Sequence, residues 1–413
     1  MSATSTPVSH KPAWQAVWIV ITCGCIIAMM TFGVRSAMGF FQAPMLADTG
    51  WSRTTFGLAM AIQQLLWGVT QPIMGAVADR YGTWRVLTFG AVVYAVGNYM
   101  MAVSSAPIWL HVGGGVLVGI GVGSASFGII LAAFARTVSP EQRSFVFGVG
   151  TAAASLGMFV FAPISQGLIE SLGWSDTLTW FAVLMLIIPV LALPLIGSAR
   201  SGGTNLTDDD LTIREALAEA FSTRGYVLLT IGFFVCGFHV AFLAVHFPAY
   251  VNDLGIDTKW AVVAIALIGG FNVIGSLAAG IIGQRYSKPV FLALIYIGRS
   301  IAFTLFLLIP ASPTTVVIFA VAMGFLWLST VPPTNALVAV MFGTRHLGLL
   351  GGLVFFNHQI GSFLGVWLGG YLYDIMGSYD VVWWIGVALG LIAAILHWPI
   401  KEQPVPRLAS AAA

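Results

Sequence analysis

Long apolar runs separated by short polar intervals occupy most of the chain. They cover approximately 15–41, 53–77, 84–104, 107–135, 144–169 and 176–197, then 225–251, 260–282, 289–309, 313–341, 347–372 and 381–399. Each holds about 20 residues or more, the helix length that crosses ~30 Å of hydrocarbon. The pattern predicts an all-α polytopic membrane protein of twelve transmembrane helices, with both termini on one side.

The one long polar interval, 198–224, divides the runs six and six. It opens on Gly202, Gly203 and Asn205, and Asp208–Asp210 then precede "LTIREALAEAF", an acid-capped amphipathic helix. The expected organisation is an N-terminal six-helix bundle over 1–197, a cytoplasmic linker over 198–224 and a C-terminal six-helix bundle over 225–413. The halves repeat each other. A shift of 205 places Gly50 on Gly255, Gly75 on Gly280, Arg80 on Arg285 and Gly119 on Gly324. A shift of 204 places Gly33 on Gly237, Pro44 on Pro248, Gly157 on Gly361 and Gly173 on Gly377. Duplicated six-helix units in carriers enclose a site near the bilayer midplane.

Composition agrees with the pattern. Only 8% of residues are charged and 58% are hydrophobic, too few charges to solvate a globular surface. Positive charge is lopsided: 13 of the 17 Lys and Arg fall at one end of the spans, and Arg53 and Lys259 alone at the other. The positive-inside rule then makes both termini cytoplasmic, in a bacterial-type inner membrane. The polar start precedes a run with no evident cleavage site, so that run is expected to stay as a helix. Cys23, Cys25 and Cys236 lie in apolar spans as packing residues. Nothing points to nucleic acid, a metal, a cofactor or an enzyme: the spans hold no carboxylate pair, nucleophile motif or metal-ligand spacing.

Arg35 and Arg299 are the cations inside spans. A charge at mid-bilayer costs at least ~2.5–3.5 kcal/mol, so intramembrane arginines face a partner or a wet cavity. Arg35 has no acidic residue in any span to pair with. Its planar fork suits a carboxylate, and a small organic anion would supply the missing counter-ion. The alternative is that Arg35 snorkels or pairs helices. The duplicated half places His239 at the position of Arg35 and His246 at that of Gln42, two turns apart. His358 lies mid-span beside Asn357 and Gln359. Buried histidines are often neutral core residues, but they also titrate nearest neutrality and could carry a coupling proton. Gln63, Gln64, Asn272 and Asn335 are further polar groups in spans, each as able to bridge helices as to bind substrate. Arg299 is a secondary candidate with a structural role in view.

"GAVADRYGTWRV", 75–86, resembles the loop between helices 2 and 3 of the major facilitator superfamily, through Gly75, Asp79, Arg80, Gly82 and Arg85. A weaker second copy, "GIIGQRYSK", has Gln284 in place of the acid. Gly75 would permit close packing, and Asp79 would pair with cytoplasmic arginines as a conformational latch. A narrower resemblance is to the monocarboxylate-porter-like branch: Arg35, Ser36, Phe40 and Phe41, "GWSRTTFGLAMA" and "FAPISQGLIESLGW" carry it. The acid and arginine of that branch's helix 8 are replaced by Asn272 and Ser276. The resemblance implies a secondary carrier of small organic anions, monocarboxylates above all, working by alternating access as a monomer, with protons a candidate coupling ion. Arg35 would clamp the carboxylate, with Gln63, His239, His246, Asn272, Asn335, Asn357 and His358 around it. The rivals are an exporter or exchanger of neutral or drug-like metabolites and, further off, a non-transporting membrane sensor.

Overall fold

The computed structural model describes residues 16–138, 143–196, 212–343 and 347–411, and every regular element among them is helical. The first run is two helices, α1 (Val17–Ser36) and α2 (Gly39–Thr49), followed by α3 (Arg53–Tyr81) and α4 (Thr83–Ala102). The fourth run is broken into α5 (Pro107–Leu110), a π-helical turn over His111–Leu117, α6 (Val118–Ser124) and α7 (Phe127–Thr137). Then come α8 (Arg143–Leu172), α9 (Trp174–Met185) and α10 (Ile188–Leu191). A short α11 (Ile213–Ser222) precedes α12 (Arg224–Asp253), α13 (Thr258–Arg285) and α14 (Lys288–Leu308). The tenth run splits into α15 (Pro313–Leu326) and α16 (Val331–Phe342), before α17 (Leu347–Met376), α18 (Asp380–His397) and α19 (Pro406–Ala411).

Helix therefore fills all twelve apolar runs. Ten of these stretches are long and apolar enough to cross a membrane among the described residues. The other two are α3 and α4, long enough but carrying Gln63, Gln64 and Gln71, and Arg85 and Asn98. Gln63, Gln64 and Asn98 are buried, so the shortfall in hydropathy comes from amides turned into the bundle.

The repeated glycines do equivalent jobs in the two halves. A side chain on Gly157 would overlap the Met29 carbonyl, and one on Gly33 would meet Phe161 and the Gly157 carbonyl, so α1 and α8 cross backbone to backbone. One on Gly237 would overlap the His358 carbonyl, and one on Gly361 the Phe234 carbonyl, which is the same crossing between α12 and α17. Small residues at a crossing let helices close on each other where lipid gives no hydrophobic drive. Gly50 and Gly255, at φ of 70° and 73°, end α2 and α12, and Gly377, at 72°, ends α17.

The polar interval holds α11, begun by a capping box: the Thr212 hydroxyl accepts from the Glu215 N–H, and the Glu215 carboxylate accepts from the Thr212 N–H at 2.8 Å. Those bonds hold the Glu215 carboxyl below its usual range. Gly202, Gly203, Asn205 and Asp208–Asp210 lie outside the described residues.

Gly157→Ala and Gly237→Ala should each destabilise the protein by about 1–3 kcal/mol, the usual cost of overpacking. Gly75→Ala and Gly280→Ala, where a methyl would meet nothing within 4 Å, should leave the melting temperature in detergent almost unchanged.

Candidate functional site

Two polar clusters stand between the helices, one around Arg35 and one at the end of the bundle opposite the start of α1 and α19. Arg35 occupies the last turn of α1, directly before the break at Ala37–Met38. A helix C-terminus favours a cation there, since its last carbonyls carry partial negative charge. The Arg35 side chain is buried, its guanidinium lying 4.9 Å from the Phe32 ring centre and 4.7 Å from that of Trp67. Its Nη1 donates to Gln64 Oε1 at 3.3 Å, and its Nε is buried with no partner. No carboxylate pairs with it among the described residues. Trp67 is held by its indole N–H, which donates to Gln71 Oε1 at 2.8 Å. Across the interface the Trp67 ring meets Phe355 of α17 at 5.5 Å, and Phe355 stacks on His358 at 5.6 Å. His358 Nδ1 donates to Gln359 Oε1 at 3.1 Å.

Arg35 and His358 are thus brought to one aromatic-lined region, and the other candidates are spread elsewhere. Gln63 turns away and donates to the Gly114 carbonyl at 3.0 Å, on the π-helical turn. It is Gln64, one residue on, that reaches Arg35. His239 lies behind the interface, with Nε2 on the Gly386 carbonyl at 2.8 Å and its ring 4.8 Å from Phe303. Asn357 donates to the Thr230 carbonyl at 2.6 Å, and Asn335 to Val331 on its own helix at 3.2 Å. Asn272 Oδ1 accepts from the Leu328 N–H at 3.0 Å and its amide donates to Ser155 at 2.9 Å, tying α13 to the α15–α16 break and to α8. Arg299 is fully buried and donates to the Leu326 and Trp327 carbonyls, which that break leaves free.

The far end is shut by a network across both halves. Arg53, first residue of α3, grips Asp253 at the end of α12 with both guanidinium arms, at 2.6 and 2.7 Å. It also donates to the Tyr379 hydroxyl at 2.9 Å and lies 3.7 Å from the Tyr373 ring centre. The Asp374 carboxylate accepts from the N–H of Arg53 at 3.1 Å, the N–H of Thr54 at 2.7 Å and the Thr54 hydroxyl. A carboxylate on the first N–H groups of a helix satisfies orphan donors and the dipole together. His246 joins this network and not the Arg35 region. A side chain on Gly39, Gly57 or Gly370 would crowd the carbonyls of Ala244, Val366 and Arg53, so backbones also touch here. Toward the other end methyls at Gly75, Gly280, Gly348 and Gly352 would meet nothing, so none of these glycines marks a close helix crossing.

This corrects one expectation, close packing at Gly75, where an added side chain would meet nothing within 4 Å. Of the rest of its motif, Gly82 ends α3 at a φ of 96° and Arg85 donates to the Tyr81 carbonyl at 3.1 Å. Arg80 is exposed beside the Tyr81 ring, and the side chain of Asp79 lies outside the described residues.

The Major Facilitator Superfamily model matches residues 21–365 and 271–413. The chain belongs to that superfamily. Monocarboxylate transporter 13 of Rattus norvegicus is 27% identical over 375 residues, 88% of this chain and 83% of that one. The uncharacterized MFS-type transporter YcxA of Bacillus subtilis (strain 168) is 23% identical over 94% of this chain and 96% of its own. Among solved structures, a bacterial homolog to the human lysosomal transporter Spinster, inward-facing and unoccupied, aligns with a TM-score of 0.69 at 14% identity, covering 94% of each chain. The protein is therefore a multi-pass membrane transporter of the major facilitator fold that binds small-molecule substrates, and not an enzyme.

Sequence does not single out Trp67 or Phe32, and it offers Gln64 only beside Gln63. Gln64, Trp67 and Gln71 recur at i, i+3 and i+7, one face of a helix, and that spacing is the signal that could have found them. The Arg53–Asp253 pair joins residues 200 apart and had no such signal.

Breaking one partner should open the far end. Arg53→Gln or Asp253→Asn should raise the labelling rate of a cysteine placed at Thr54. The exchanged pair, Arg53→Asp with Asp253→Arg, should return it toward wild type.

Proposed function

We propose that this transporter carries small organic anions, monocarboxylates above all, with Arg35 as the carboxylate clamp. One observation carries the reading. Arg35 is a buried guanidinium with a buried, unpartnered Nε and, among the described residues, no carboxylate paired with it, in a region lined by polar and aromatic side chains. A buried cation left so under-matched is costly, and an anionic ligand repairs the deficit with a charge-assisted, two-armed contact. His358 and Gln359 face the clamp from α17 through Phe355, and Gln64 orients the fork. The similarity to a protein named a monocarboxylate transporter supports the substrate class.

In this reading the units 1–197 and 225–413 rock about the central region, with 198–224 joining them. Both termini face the cytoplasm of an inner membrane, so the shut far end faces outward. Asp79, Arg80, Gly82 and Arg85 would latch the inner side in the opposite state. A monomer suffices for the cycle, and protons are the proposed coupling ion.

Arg35→Gln should weaken carboxylate binding roughly 30-fold or more, as truncating one partner of a buried charge pair costs about 2 kcal/mol or more. Thermal stabilisation of purified wild type and variant by carboxylates, neutral metabolites and cations checks this, followed by uptake into proteoliposomes. Stabilisation of both proteins by neutral or cationic compounds would make Arg35 a helix-pairing residue and the protein an exporter of such compounds.

A further inference from the structure

His246 is fully buried in α12, and the Arg35 clamp makes no use of it. Its Nε2 lies 2.8 Å from the Val366 carbonyl of α17. A carbonyl accepts only, so Nε2 carries a hydrogen. Nδ1 then presents the ring's lone pair, and two donors aim at it: the Gln42 amide from α2 at 3.2 Å and the Tyr379 hydroxyl at 3.1 Å. The Tyr379 oxygen accepts from Arg53 at the same time. Every bond in the series has its direction set. Arg53 donates to Asp253 and Tyr379, Tyr379 donates to His246, and His246 donates to Val366. The shut gate is built around a neutral imidazole.

A proton on Nδ1 would turn that acceptor into a donor. It would meet a hydroxyl oxygen already engaged by Arg53, and the Tyr379 hydrogen would lose its acceptor. The Gln42 amide can turn to offer its Oε1, which is buried without a partner, but this repairs one of the two contacts. The imidazolium would also stand in a dry interface one hydroxyl away from the Arg53 guanidinium. Asp253 and Asp374 are committed to Arg53 and to the start of α3. The other titratable groups at this end include Asp48, His111, Glu170, Asp176, Tyr250, Tyr373, the Asp257–Lys259 pair and Asp380. His111 places its Nε2 3.1 Å from the Thr55 carbonyl, and none of them hydrogen-bonds the His246 ring.

We propose that His246 is a proton-binding site of the outer gate, neutral while the gate is shut and loaded from outside once it opens. Its partners come from α2, α17 and the α17–α18 turn, so the ring meets water only when the halves separate. An imidazole in water titrates near pH ~6.5. The open gate binds the proton more tightly than the shut one, so acid favours opening, by up to about tenfold in the open-to-shut ratio per pH unit for a single proton. The proposal rests on the orientation that turns the shut end outward, and it is independent of which substrate Arg35 holds.

The test is a distance between spin labels at Ser105 and Ala311, exposed residues in far-end loops of the two halves. The labels go into full-length protein in lipid nanodiscs with Cys23, Cys25 and Cys236 replaced, read from pH 5 to pH 8. Wild type should gain a longer-distance population as pH falls, and His246→Gln should hold the same populations throughout. A wild type that ignores pH, or a response that survives in His246→Gln, overturns the proposal. If His246→Gln does not fold, Asp253→Asn and Asp374→Asn decide. Each should keep the pH response on a weakened gate, and its loss in either would assign the response to the carboxylates and overturn the histidine.

Discussion

Hydrocarbon offers no partner to a polar group, so every amide, imidazole and guanidinium inside this bundle is matched by the protein itself or left at a cost of several kcal/mol. That constraint explains why several of the larger intramembrane polar side chains end on backbone carbonyls of another helix. Gln63, Asn357, His239 and Arg299 all do so. Their bonds to another helix's backbone mark them as ties between helices, with His239 Nδ1 and Arg299 Nη1 left buried without a partner. Arg35 differs from Arg299 in the bonds it makes: one, at 3.3 Å to Gln64, against three to the Leu326 and Trp327 carbonyls, with two aromatic faces and an orphan Nε.

The duplication has a geometric consequence at the gate. Residues equivalent in two halves related by a two-fold axis along the membrane normal approach each other only near that axis. Gln42 and His246 stand 204 apart, the repeat offset itself, and they touch. The first half carries an amide where the second carries an imidazole, so the contact between equivalent positions is polarised and not symmetric.

Much of the fold was legible in the chain, and the reasons are physical. Helix length against bilayer thickness gives the spans, and charge bias gives the expected orientation. The repeat offset finds the glycines that close α1 on α8 and α12 on α17, because backbone contact tolerates no side chain. Arg35 stood out because burial of a charge in an apolar run is costly. Hydropathy, however, reports depth and not azimuth. A step of one residue turns a helical side chain by about 100°, enough to separate Gln63 from Gln64. Likewise the two-turn spacing of His239 and His246 put them on one face without telling which neighbours that face meets. Nor does any local pattern announce a pair such as Arg53 and Asp253, which only the assembled bundle brings together.

The interruption between α15 and α16 changes what bending costs. In an unbroken helix, bending means stretching or losing hydrogen bonds at the bend. Here the Leu326 and Trp327 carbonyls are already bonded to Arg299 on α14, and the Leu328 N–H to Asn272 on α13. Neighbouring helices supply bonds at this point beside the turn bonds from the Trp327 N–H to Gly324 and from the Val331 N–H to Leu328. The break is therefore bolted to its neighbours: any change of angle between Pro313–Leu326 and Val331–Phe342 has to carry Arg299 and Asn272 with it, so the interruption transmits movement to α14 and α13 and does not absorb it.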